Sequence, residues 1–123
     1  MGRLVHFEIL ADDPQDAVKF YQSVFDWEIA TWGEGEQAYW LITTGPEDVP
    51  GINGAIMGTN FPQKVINTID VESLDEMLAK VNAAGGKLVH GPNEVPGVGM
   101  HAYCEDSQGI LFGMMQSFYG MGE

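Results

Sequence analysis

A strand followed by an amphipathic helix occurs twice in this chain, and that repeat limits the folds open to it. In VHFEILADDPQDAVKFYQSVFDWEI, Val5, Phe7 and Ile9 fall on one face of an extended segment, with His6 and Glu8 on the other. The helix that follows carries Ala17, Phe20, Tyr21, Val24 and Phe25 in a single apolar stripe, suited to cover the Val5–Phe7–Ile9 face. The pattern restarts with a strand over Val65 to Val71. Ser73 and Glu76 make a capping-box arrangement, Leu74, Met77, Leu78, Val81 and Ala84 form the stripe, and Gly85-Gly86 reads as a left-handed cap. With a shift of about 60 residues, both halves read strand, helix, strand, strand, strand. His6 then falls on Ile66 and Glu8 on Thr68. Asn67 lands on the face that Phe7 makes apolar, where a buried amide needs hydrogen-bond partners.

The remaining strands are expected at Trp27–Trp32, Ala38–Thr44, Ile52–Met57, Lys87–His90, Gly99–Glu105 and Ile110–Gln116. Turns are expected at Gly33–Glu36 and over Gly45–Gly51, and a loose tail at Tyr119–Glu123. Neither half covers both sides of its own sheet, so the halves are expected to pack together. The predicted class is α+β, with two βαβββ modules forming a curved mixed sheet, helices on the outer face and a concave pocket. The 123 residues are expected to form a single domain, module one over 1–60 and module two over 61–123.

Charge excludes several functions. Eighteen acidic against five basic residues give a net charge of -13, so no basic stripe exists to meet nucleic acid or an anionic membrane. No stretch approaches the roughly 20 apolar residues of a membrane span, and no signal segment is read at the start, so a cytoplasmic protein is expected. Cys104 is a lone cysteine and reads as a small buried residue.

Three stretches make the chain resemble a glyoxalase-like protein of the vicinal oxygen chelate superfamily, which includes bleomycin-resistance proteins and extradiol dioxygenases. They are VHFEILADDPQDAVKFYQSVFDW, INGAIM, and VESLDEMLAKVNAAGGKLV with EDSQGILFGMMQ. Asp26 stands at a turn position where the family usually has glycine. The resemblance implies a divalent ion held on the concave face by four side chains, one from each of four strands. His6 stands at the first of these positions, whereas Gly54, Ile66 and Gly113 stand where the other three are expected. One imidazole does not hold a metal, so no metal ligand set and no cofactor is assigned. Glycine at two of these positions leaves room for an organic molecule to lie flat against backbone.

His6 and Glu8, roughly 6.5–7 Å apart along one strand face, are the expected catalytic pair, as base and orienting partner. Trp40, Gly54, Ile66, Thr68 and Gly113 are expected to line the ligand surface. His101 and Tyr103 share one face of their strand, and which way that face looks stays open. The expected function is a glyoxalase-like small-molecule-binding protein or enzyme with a degenerate metal site, working as a homodimer. The alternatives are a metal-dependent lyase or isomerase of the lactoylglutathione lyase type, and a protein that sequesters a drug or metabolite without catalysis.

Overall fold

The computed structural model describes residues 2–33 and 39–118. Most of the expected turn at Gly33–Glu36, the strand start at Ala38 and the tail Tyr119–Glu123 lie outside the described residues. In chain order the elements are β1 (Arg3–Leu10), α1 (Pro14–Phe25), β2 (Glu28–Trp32), β3 (Tyr39–Thr43) and β4 (Asn53–Met57). There follow β5 (Val65–Asp70), α2 (Leu74–Ala83), β6 (Lys87–Val95), β7 (Gly99–Glu105) and β8 (Leu111–Ser117). The βαβββ order thus occurs twice, and the fold is α+β with a mixed sheet. Two compact units divide the chain, one of His6–Ile66 and one of the residues from Asn67 on together with those before His6.

In the His6–Ile66 unit the strands run β2-β3-β4-β1. β1 pairs with β4 in parallel, and β3 pairs antiparallel with both β4 and β2. Asp13 caps α1 by accepting from the Asp16 N–H, and Pro14 occupies the first turn, where its missing N–H costs nothing. Asp26 ends the helix in the left-handed region at φ 57°. The α1 stripe behaves differently from expectation. Tyr21, Phe25 and Trp27 stack on one another, and Trp27 meets Phe7, but Phe20, Val24 and Phe25 remain more than half exposed.

The second unit orders its strands β5-β8-β7-β6, again with one parallel pair (β5 with β8) and two antiparallel ones. Its helix packs most of its stripe on the core, although Ala84 is exposed. Leu74, Val71, Ala102, Cys104 and Met114 form the core, with Met77, Leu78, Val81 and Ile69 packed on it. Ser73 accepts from the Glu76 N–H. At the other end Gly85 takes φ 95° and the Gly86 N–H reaches back to the Val81 carbonyl, the Schellman closure expected of Gly85-Gly86. Cys104 is fully buried, and burial pushes its thiol pKa up.

Two local expectations change. β6 does not end at His90 but continues to Val95, through register shifts against β7 between Leu88 and His90 and again across Gly91-Pro92. Asn67 is exposed rather than buried, so its amide meets water and the expected shortage of partners does not arise.

Candidate functional site

The His6–Ile66 unit brings together three polar side chains from two strands that are not neighbours. His6 and Glu8 project from the same face of β1, as alternation requires, and Glu8 is only 4% exposed. The Tyr39 hydroxyl donates to Glu8 Oε2 at 2.7 Å and lies 3.3 Å from His6 Nε2. Tyr39 stands on β3, with β4 between it and β1. The β4 residue opposite Glu8 is Ala55, fully buried, whose single methyl leaves the phenol a path across the strand.

Hydrogen counting assigns the protons. A phenol has one hydrogen, and here it serves Glu8. The Tyr39 oxygen can then only accept from His6, so Nε2 carries the imidazole hydrogen and Nδ1 the basic lone pair. Desolvation lowers the His6 pKa, with the nearby Glu8 carboxylate partly opposing that shift. The ring is therefore neutral at pH 7 and suited to accept a proton.

Register separates the other expected residues. His6 pairs with Asn53 and Glu8 with Ala55, whereas Gly54 pairs with Phe7. Gly54 therefore faces the side of Phe7, away from His6. A Cβ at Gly54 would lie 2.7 Å from the Phe7 ring, so this glycine serves close packing. Trp40 pairs with Ile56 and Ile42 with Gly54, which puts Trp40 on that same side. The expectation that Trp40 and Gly54 share the His6 surface is corrected: Tyr39, not Trp40, is the β3 aromatic residue that reaches His6 and Glu8. Ile66 is fully buried on β5.

In the second unit Thr68 pairs with Gly113, and Gly113 with Tyr103, so these residues share a face. His101 lies on it too, because α2 packs against Ala102 and Cys104 on the other side of β7. That settles the face left open by the sequence. The Thr68 hydroxyl is buried and without a hydrogen-bond partner among the described residues.

The donor set does not fit the divalent ion that the fold family implies. Asn53, the β4 residue opposite His6, spends its Oδ1 on the Thr44 N–H at 2.9 Å, and the Glu8 carboxylate holds the Tyr39 hydroxyl. Gly113 has no side chain and Ile66 no donor. Among the described residues, no three His, Cys, Asp or Glu side chains gather as a metal-holding group.

Known proteins resemble the chain in sequence and in fold. The proteins designated glyoxylase CFP32 in Mycobacterium tuberculosis and Mycobacterium bovis are 31% identical to the chain over 120 residues. The alignment covers 94% of this chain, but the chain spans only 44% of the length of these relatives. Among solved structures, a methylmalonyl-CoA epimerase bound to methylmalonyl-CoA and NH4+ superposes with a TM-score of 0.73 at 15% identity, covering 100% of this chain and 99% of that one. A Streptomyces coelicolor methylmalonyl-CoA epimerase bound to 2-nitronate-propionyl-CoA gives 0.71 at 15% identity, with 98% of each chain covered. At that identity the likeness shows the fold. The family profile matches residues 3–114, which take in both βαβββ repeats, and the chain belongs to the Glyoxalase/Bleomycin resistance protein/Dioxygenase superfamily.

Proposed function

We propose that the protein is an enzyme that binds a small carbonyl or hydroxy compound and moves a proton on it, with His6 as the base. The observation that carries this reading is the Tyr39 hydroxyl held between Glu8 and His6. A neutral imidazole oriented by a hydrogen-bonded partner is the equipment of general base catalysis. His6 Nδ1 takes the proton from the carbon beside the carbonyl, and the C–H electron pair moves into an enolate. The ring becomes an imidazolium, which the Glu8 charge favours, and returns the proton to carbon. Substrate and product are then isomers, so no oxidant or second substrate is consumed. The family and its CoA-ester-binding fold neighbours support a small organic guest.

Exchange of the substrate's α-hydrogen in D2O, followed by NMR over a panel of 2-hydroxy and 2-oxo compounds, tests this. His6→Ala is expected to lose exchange while ligand binding persists. Tyr39→Phe, which leaves the ring unoriented, is expected to lose about 10²-fold, the lower end of what general base catalysis contributes. Exchange at the wild-type rate in His6→Ala would sink the catalytic reading and leave a binding protein.

We also infer that two copies pair. The support is the apolar α1 face, with Phe20 56% and Phe25 54% exposed, where the equivalent face of α2 is packed into its core.

A further inference from the structure

We infer that α1 docks on the α1 of a second copy in the antiparallel direction, crossing between Gln22 and Ser23, so that Lys19 of each copy faces Asp26 of the other. The inference rests on the pairing of two copies proposed above and adds its geometry. Its basis is that the exposed side of α1 complements itself when reversed. Phe20 and Phe25 are equidistant from the point between Gln22 and Ser23, and so are Tyr21 and Val24, and Lys19 and Asp26. A two-fold axis at that point therefore sets aromatic against aromatic and cation against anion, as a self-complementary interface requires. Phe20, Val24 and Phe25 are each more than half exposed, and Tyr21 and Trp27 stack on Phe25 from the side of the sheet.

Charge chooses the direction and the register. Lys19 and Asp26 are seven residues apart, about two helical turns, so they lie along one rim of the apolar face. Both are exposed, and among the described residues neither pairs with an opposite charge of its own chain. The last turn of α1 holds no basic residue, so the negative end of the helix dipole and the Asp26 carboxylate stand together without a cation. An antiparallel copy brings Lys19 to that end, twice by symmetry. A parallel copy would set Lys19 level with Lys19 and Asp26 level with Asp26, with the helix dipoles aligned. Lys19 is the one basic residue of α1, so sliding the antiparallel copies by a turn leaves it level with Gln22 or beyond the helix end. Exposed ion pairs are weak, so these two fix direction and register while the apolar face supplies the attraction.

Electron paramagnetic resonance on Ser23→Cys and Gln15→Cys, each carrying a nitroxide, reads the separation between the two copies' labels. Cys104 is fully buried and does not compete for the label. A close pair is expected at position 23, and at position 15 a pair offset along the axis by roughly 20 Å, from a rise of about 1.5 Å per residue. Charge exchange gives a second readout, the dimer Kd by sedimentation equilibrium. Lys19→Glu and Asp26→Lys are each expected to weaken pairing about fivefold, because two symmetry-related contacts turn repulsive, and the double variant is expected to recover wild-type affinity. Asp26→Lys lowers the net negative charge, so a response to net charge alone would tighten pairing instead. Tighter pairing in Asp26→Lys, a double variant no better than the single ones, or equal label separations at 15 and 23 would each overturn the antiparallel geometry while pairing itself stands. A wild-type protein that stays monomeric at every concentration defeats both readings.

Discussion

Tyr39 has a single hydrogen to place between two partners, and its choice of Glu8 sets the protonation of His6. Two expectations follow at the scale of single side chains. The Glu8 charge is what raises the His6 pKa against desolvation, so Glu8→Gln is expected to push that pKa lower still, read from the His6 ring resonances across pH. Stability carries the same signature. The folded His6 pKa lies below its ordinary 6.5, so the unfolded chain takes up the proton first as pH falls. The His6 contribution is thus complete above 6.5 and is lost as pH drops through the folded pKa, at no more than about 1.4 kcal/mol per pH unit for one proton. Denaturant melts of wild type and His6→Asn between neutral and mildly acid pH check this. The wild type is expected to lose stability faster on acidification, and parallel curves would contradict it.

Helix ends carry the element-scale predictions. Asp26 closes α1 at φ 57°, a conformation that costs an L-residue about 1 kcal/mol and glycine almost nothing. Asp26→Gly is therefore expected to stabilise the protein by about 0.5–1 kcal/mol in denaturant melts. Ser73 is the opposite case: its side chain serves the Glu76 N–H at the start of α2, so Ser73→Ala is expected to cost about 1 kcal/mol. The Ser73 cap was legible in the sequence because a cap is local, involving residues three apart, whereas Asp26 was marked as a turn position only through the family resemblance. The continuation of β6 past Gly91-Pro92 was not legible, because its cause lies across the sheet. Residues 93–95 find partners in 99–101 of β7, and that pairing holds the strand beyond a breaker sequence.

For the whole molecule, the negative charge and the apolar α1 face act against each other. Two copies each carrying -13 repel, and salt screens that repulsion within about 10 Å at 0.1 M. Pairing through α1 is therefore expected to tighten as salt rises, measured by sedimentation equilibrium, and Phe25→Glu is expected to yield monomers at every salt concentration. Weaker association at high salt would rule out an apolar interface. By itself the sequence determined, through periodicity and capping, two βαβββ repeats and the shared face of His6 and Glu8, and, through the resemblance of three of its stretches, the superfamily that the profile match shows. Tertiary structure alone decided who joins that face. Alternation is set within a strand, but which residues of the next strand look the same way depends on register, and a shift by one residue exchanges every side chain. Register placed Tyr39 rather than Trp40 beside Glu8, turned Gly54 toward Phe7, and set the Thr68 hydroxyl and His101 imidazole around Gly113.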